Sequence, residues 1–123
     1  LLPQTADSYR VIGKEPEEAE GIIRDAKHLE ESGIFSLVLE GIPRSLALDV
    51  TRTLTIPTIG IGAGPDCDGQ VLVTYDMLGL TGGKVPKFVK QYADLGDRIK
   101  NAVSLYAEEV RKRDFPSDRF SYH

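Results

Sequence analysis

Ile34-Phe35-Ser36-Leu37-Val38-Leu39-Glu40-Gly41-Ile42-Pro43 is a short apolar run that ends abruptly in a carboxylate. A run of about six residues rich in Leu, Val and Phe, too short for a helix and flanked by helical pattern, predicts a strand buried on both faces. Glu40 then stands at its carboxyl end. In parallel α/β architectures ligands bind, and chemistry is done, at the carboxyl ends of strands, whereas the opposite ends serve stability. Position alone leaves Glu40 open between a catalytic acid and a solvated loop acid, because strand ends are also where loops begin.

Upstream of that run, residues 1–14 show little periodicity and read as a loop. Pro16 followed by Glu17, Glu18 and Glu20 suits a first helical turn, and Ala19, Ile22, Ile23, Ala26 and Leu29 recur at helical spacing until Gly33 stops them. His28 falls opposite that stripe and faces solvent. Downstream, Pro43 opens a second amphipathic helix marked by Leu46, Ala47, Val50 and Leu54, and Pro57 closes it. Thr58-Ile59-Gly60-Ile61-Gly62 follows as a second buried strand. Alternation of helix and strand every 20 to 25 residues or so is the pattern of a parallel sheet with helical crossovers.

Residues 63–69 form a tight polar loop at the carboxyl end of that strand. Residues 70–78 fit either a strand through Val71-Leu72-Val73 or a helix capped by Asp68, and the helix is favoured because a crossover is due. Residues 86–92 suggest a short third strand with Phe88 and Val89 inward. A final amphipathic helix runs from about Asp94 to Arg113, and residues 115–123 read as a tail in which His123 is a mobile end rather than a ligand.

With 123 residues, 41% of them hydrophobic, the chain can bury one core, and no composition shift marks a second domain. A formal charge of -4 argues against nucleic acid and against an anionic membrane as the main partner, since both recruit clustered Lys and Arg. Lys84, Lys87 and Lys90 are the one local basic cluster, and a solvated face accounts for them better than an anion site. Cys67 is the single cysteine, so a disulfide framework is excluded and a reducing compartment is expected. No signal peptide or spanning segment is recognisable. The apolar opening Leu1-Leu2, without Met, looks cut from something longer.

Gly60-Ile61-Gly62-Ala63-Gly64 invites a nucleotide assignment, but Pro65 stands where the dinucleotide fingerprint wants its third glycine, and no Gly-Lys-Ser/Thr follows. Bare strand ends of this kind let a planar ligand or a neighbouring backbone approach closely. Asp66 and Asp68 have a spacing found in divalent-metal loops, yet acids in a Gly/Pro-rich turn more often serve the turn or cap the next helix. Cys67 has no sequence neighbour that would activate it and reads as a passive thiol.

Taken together, Leu37-Val38-Leu39-Glu40-Gly41-Ile42-Pro43, Ile56-Pro57-Thr58-Ile59-Gly60-Ile61-Gly62-Ala63-Gly64 and Cys67-Asp68-Gly69-Gln70-Val71-Leu72-Val73 resemble the ketopantoate hydroxymethyltransferase family of pantothenate synthesis. Pro86-Lys87-Phe88-Val89-Lys90, Tyr92-Ala93-Asp94-Leu95 and the opening Leu2-Pro3-Gln4 extend the resemblance along nearly the whole chain. It implies that residues 1–123 are a single partial domain, the carboxyl-terminal half of a (β/α)8 TIM barrel of parallel strands and helical crossovers, with the amino-terminal half absent. It implies transfer of a one-carbon unit from 5,10-methylenetetrahydrofolate to the keto acid 3-methyl-2-oxobutanoate, with Mg²⁺ holding the keto acid, in a cytoplasmic homo-oligomer. Glu40 matches the family's proton acceptor, so it is the one catalytic residue expected in this chain. The family's metal-binding acids, its substrate-binding Ser and Lys, and a His all precede Leu1, so no metal ligand is expected here and the chain alone should be inactive. The alternative is a non-catalytic α/β module or degenerate remnant that binds a small anion or a partner chain.

Overall fold

Pro16 begins helix α1 (Pro16–Glu31), where a missing N–H leaves no bond unmade, and Glu17 and Glu18 lie at the positive end of the helix dipole. The computed structural model describes residues 10–123; the expected loop over 1–14 therefore lies partly outside the described residues, and residues 10–14 carry no helix or strand. Gly33, with φ +90°, takes the chain out of α1 through a conformation that side chains disfavour. Strand β1 (Leu37–Glu40), helix α2 (Arg44–Thr53) and strand β2 (Thr58–Ile61) follow, close to the expected bounds. β1 and β2 pair in parallel, Leu37 opposite Thr58 and Glu40 opposite Ile61.

The order after β2 departs from expectation. Gly69–Gln70 form a short third strand, β3, parallel to β2, with Ile59 opposite Gly69 and Gly60 opposite Gln70. The helix expected over 70–78 is thus replaced by extended chain, with only one turn, α3 (Thr74–Met77), at its end. The cause is a bond made far from the segment in sequence: Asp68 does not cap a helix but accepts the Thr58 amide at 2.8 Å, and the Val71 amide donates to the Gly60 carbonyl at 3.0 Å. Once those bonds form, residues 69–71 must lie along β2. The strand expected over 86–92 is also absent. Lys87 and Phe88 form a turn closed by the Val89 amide on the Pro86 carbonyl at 3.0 Å.

The described residues group into two compact units, one built of residues up to Val73 with Lys84–Val89, the other of Thr74–Gly83 with Lys90–His123. In the first, α1 and α2 cover one face of the β1-β2-β3 sheet, and Ala26, Leu39, Leu46, Ala47, Val50 and Ala63 meet there in the core. Side chains alternate along a strand. Leu39 therefore enters the core, 5% exposed, while Val38 on the opposite face is 55% exposed. This corrects the expectation of a strand buried on both faces: helices cover one side only, and Phe35, before the strand begins, is 87% exposed.

In the second unit the Tyr92 amide donates to the Met77 carbonyl at 2.8 Å and the Leu95 amide to the Leu78 carbonyl at 3.0 Å, so the segment before helix α4 (Leu95–Lys112) lies against the turn after α3. Gly79, with φ +68°, permits this; a Cβ there would stand 2.5 Å from the Ala93 carbonyl oxygen. Residues 115–123 are more structured than a tail. Phe115 contacts Tyr106 and Phe120, with ring centroids 5.7 and 5.6 Å apart, and Asp118–Phe120 form a 3-10 turn. His123 lies 3.5 Å from the Asp118 carboxylate. Among the described residues no helix is long and apolar enough to cross a membrane.

Candidate functional site

Glu40 is the last residue of β1 and lies level with Ile61, the last residue of β2. Because the strands are parallel, both carboxyl ends open on the same edge of the sheet. Immediately beyond, the Gly41 amide donates to the Ile61 carbonyl at 3.0 Å, and the Ile12 amide donates to the Gly41 carbonyl at 3.0 Å. Gly41 turns with φ +62°, the left-handed conformation that glycine adopts most readily. The chain leaving Glu40 is therefore held to its neighbour strand within one residue. The Glu40 side chain is exposed and, by alternation, lies on the same face as Val38, away from the helices.

The glycine-rich end of β2 is filled by the chain's own groups rather than left bare. A Cβ on Gly62 (φ +64°) would stand 2.6 Å from Cδ1 of Phe88, so the ring lies against that glycine. A Cβ on Gly64 (φ +79°) would stand 2.7 Å from Cγ of Arg44. On Gly60 it would meet Sγ of Cys67 at 3.0 Å and the Gln70 amide group at 3.1 Å. The Gln70 side chain donates onward to the Gly64 carbonyl at 3.0 Å. Close approach is what these glycines permit, and the visitors are Phe88, Arg44, Cys67 and Gln70.

Both aspartates of the loop bond to the chain's own groups. Arg44 grips Asp66 through Nε at 2.5 Å and Nη2 at 3.2 Å, a two-pronged pair that joins the first turn of α2 to the loop after β2. The hydrogen bond from Arg44 holds the Asp66 carboxyl below the usual carboxylate range, and that same bond raises the guanidinium further. Arg44 is well exposed and Asp66 half-buried, so the pair serves loop placement more than stability. Asp68 accepts the Thr58 amide. Among the described residues no three His, Cys, Asp or Glu side chains converge as a metal site, so the residues described do not by themselves fit the Mg²⁺ that the family resemblance implies. Cys67 is a half-buried free thiol packed against the core.

Of the remaining candidates, His28 faces solvent on α1 as expected. The lysine cluster is divided: Lys84 and Lys87 belong to the first unit and Lys90 to the second, where its ammonium sits 4.8 Å from the Tyr92 ring centre. One structural acid escaped the sequence reading. Oε1 of Glu30 accepts the Thr55 amide at 2.6 Å, the Thr55 hydroxyl at 2.7 Å and the Ile56 amide at 3.1 Å, tying the end of α1 to the chain entering β2. The signal was available. A carboxylate in the last turn opposes the helix dipole, so it asks for a specific partner.

A carboxylate at the end of a parallel strand, beside a loop braced by glycine contacts, is what a proton-transfer site in a barrel would need. The family model for ketopantoate hydroxymethyltransferase matches residues 1–118. The chain belongs to the ketopantoate hydroxymethyltransferase family. It is 56% identical to the 3-methyl-2-oxobutanoate hydroxymethyltransferase of Streptomyces coelicolor over 125 aligned residues, which cover 100% of this chain and 43% of that protein. The enzyme of the same name from Chlorobaculum tepidum is also 56% identical, with 99% of this chain and 45% of the relative covered. The one from Caldicellulosiruptor bescii is 51% identical, over 99% of this chain and 47% of the relative. The chain thus spans less than half the length of these relatives. Their names place the family among the transferases of pantothenate synthesis, and the parallel, helix-backed sheet is consistent with part of the TIM barrel that the family adopts.

Proposed function

We propose that this chain is the carboxyl-terminal half of a (β/α)8 barrel that transfers a hydroxymethyl group from 5,10-methylenetetrahydrofolate to 3-methyl-2-oxobutanoate, giving 2-dehydropantoate. The observation that carries the proposal is the placement of Glu40. It ends β1 level with the end of β2, on the sheet face that the helices leave open, and active sites of such barrels lie at the carboxyl ends of strands.

Glu40 acts as general base. Its carboxylate takes the C3 proton of the keto acid, and the electron pair left behind makes C3 the nucleophile. C3 then forms a carbon–carbon bond to the folate methylene, whose two bonds to the folate nitrogens break; water supplies the hydroxyl, its remaining proton and the one Glu40 took go to those two nitrogens, and tetrahydrofolate leaves. Two features support Glu40 in that role. The Gly41 amide on Ile61 fixes the strand end, and the Arg44–Asp66 pair, with Phe88 on Gly62, holds the neighbouring loop in place. Positioning of this kind is worth much of a catalytic barrier. The described residues form no ligand set for Mg²⁺; its ligands would come from the part of the family's length that this chain does not span. The assembled protein is expected in the cytoplasm as a homo-oligomer.

In the complete enzyme, Glu40→Gln abolishes exchange of the C3 proton of 3-methyl-2-oxobutanoate with solvent deuterium, read by proton NMR, while keto acid binding persists. Normal exchange by the variant would refute the assignment. The purified 123-residue chain by itself should show neither exchange nor turnover, and activity from it alone would overturn the half-barrel proposal. A non-catalytic module, the alternative, gives no substrate-dependent exchange even when the barrel is complete.

A further inference from the structure

The turn at 86–89 brings a cation to the sheet edge where Glu40 stands. Lys84–Val89 belong to the same compact unit as the sheet, and the Val89 amide on the Pro86 carbonyl closes the turn. Its anchor is Phe88. A Cβ on Gly62 would stand 2.6 Å from Cδ1, 3.0 Å from Cγ and 3.1 Å from Cε1 of that ring, so the ring lies against the backbone just past the end of β2. Ile61, the residue before Gly62, is level with Glu40, and its carbonyl accepts the Gly41 amide. The end of β1, the end of β2 and the turn carrying Lys87 therefore share one edge.

Other cations near this edge are already occupied. Arg44 pairs with Asp66, and Lys84 is engaged within the chain. Lys87 is exposed, and among the described residues no acid pairs with it. A lysine on a surface segment is ordinarily just solvated. Here the backbone is held by a turn pinned to a strand end, while the long stem leaves the ammonium free to meet an anion.

We infer that Lys87 binds the anionic glutamate tail of the folate donor. The inference deepens the proposed reaction and rests on it. The keto acid is one small anion whose C3 must lie against Glu40, so its carboxylate stays close to that residue and out of reach of a turn beyond β2. The donor is longer. Its methylene carbon must meet the same C3, but a benzene ring and an amide, about 10 Å of covalent chain, separate that carbon from the glutamate carboxylates. Adjacent strands stand about 4.8 Å apart, and a ring packed beyond β2 sets the Lys87 backbone on the order of 10 Å from Glu40. The two spans agree. Carboxylates are also costly to strip of water, so an exposed lysine at the rim suits them better than an enclosed site.

The test is calorimetric titration of the complete enzyme with two probes: tetrahydrofolate, and 6-methyltetrahydropterin, which has the reduced ring system without the tail. Lys87→Gln should weaken tetrahydrofolate binding about threefold, the scale of one exposed ion pair, and Lys87→Glu about tenfold or more, since attraction becomes repulsion. Lys87→Arg keeps the charge and should bind as the parent does. The gap between parent and Lys87→Gln should close between about 0.05 and 1 M salt, as screening shortens the reach of an exposed charge. Binding of 6-methyltetrahydropterin should not depend on residue 87. Lys27→Gln, on the exposed side of α1, makes the same change in net charge and should leave tetrahydrofolate binding as it was. Undiminished tetrahydrofolate binding by Lys87→Gln, an equal loss with the tail-less probe, or a loss that persists in 1 M salt would each overturn the inference. Exchange of the keto acid C3 proton without folate separates it from the reaction on which it rests. Binding that depends on Lys87, in an enzyme with no exchange dependent on Glu40, would uphold the tail site and sink the proposed chemistry.

Discussion

Thr58→Val tests how the loop after β2 is tied to the helix before it. Thr58 is fully buried, and its hydroxyl lies 2.8 Å from that of Thr51, 3.2 Å from Oδ2 of Asp68 and 3.3 Å from the Asp68 amide nitrogen. Each hydroxyl has one proton to give. Thr51 donates to the Ala47 carbonyl at 2.8 Å and Thr58 to Oδ2 of Asp68 at 3.2 Å, so the short contact between the two hydroxyls shares one of those protons. The Thr58 hydroxyl, which also accepts the Asp68 amide, thus links the loop after β2 to Thr51 on α2. Valine has nearly the same shape but neither accepts nor donates. It leaves the part-buried Asp68 amide without its partner, at a cost of about 1–3 kcal/mol, and also removes a net bond of about 1 kcal/mol to Thr51. Burying a methyl in place of a hydroxyl returns roughly 1 kcal/mol. The expected loss is about 1–3 kcal/mol. Urea denaturation reads that loss, and exchange of the Val71 amide, bonded to the Gly60 carbonyl, should quicken because β3 is held through Asp68. A variant of unchanged midpoint whose Val71 amide exchanges as before would show that Asp68, through the Thr58 amide alone, holds the loop.

Two further substitutions probe the supports of the site. At Glu30, hydrogen bonds from the Thr55 hydroxyl, the Thr55 amide and the Ile56 amide outweigh desolvation and hold the carboxyl below its usual 4.5. A folded pKa below the unfolded one stabilises fully above the unfolded value and is lost as pH falls through the folded one. Glu30→Gln should therefore be less stable than the parent at pH 7, with a gap that narrows below pH 4.5; a gap that stays constant on acidification would show that the charge of Glu30 contributes nothing. Gly62→Ala forces a side chain into a left-handed backbone, at about 1–2 kcal/mol, and sets its Cβ 2.6 Å from the Phe88 ring. Denaturation should show at least that loss and the Phe88 ring resonances should shift, whereas an unperturbed ring would mean that Phe88 does not rest on Gly62.

Those supports divide along the line between local and distant causes. Helices α1 and α2 were legible because their determinants lie within them: proline in or just before the first turn, and apolar residues at helical spacing. β1 and β2 were legible as short apolar runs between helices, and with them the place of Glu40. Residues 70–78 misled for a physical reason. Asp68 is as good a helix cap as it is a loop anchor, and its own sequence neighbourhood does not favour one over the other. What decides is Thr58, ten residues earlier, whose amide and hydroxyl are already in place at the start of β2. Phe88 is a parallel case. Its apolar character suggested an inward strand residue, and it does pack inward, but from a turn and onto a glycine whose openness only the fold reveals.

The two errors at β1 and β2 share a cause that bears on function. A continuous apolar run predicts burial on both faces because sequence pattern records the environment of the finished protein. The described residues cover one face, yet Val38 on the other face is apolar, and Ile59 and Ile61 on β2 are half-exposed. Register pairs Val38 with Ile59 and Glu40 with Ile61, so this open face carries branched aliphatic side chains below a carboxylate. Layers of branched residues fill the interior of a (β/α)8 barrel, and polar catalytic groups stand above them at the carboxyl ends. A strand face that is apolar without being covered is costly for an isolated module and appropriate for one side of a closed interior. The discrepancy between pattern and exposure at Val38 thus favours the half-barrel over the non-catalytic module, and it places Glu40 where completing the barrel would enclose it.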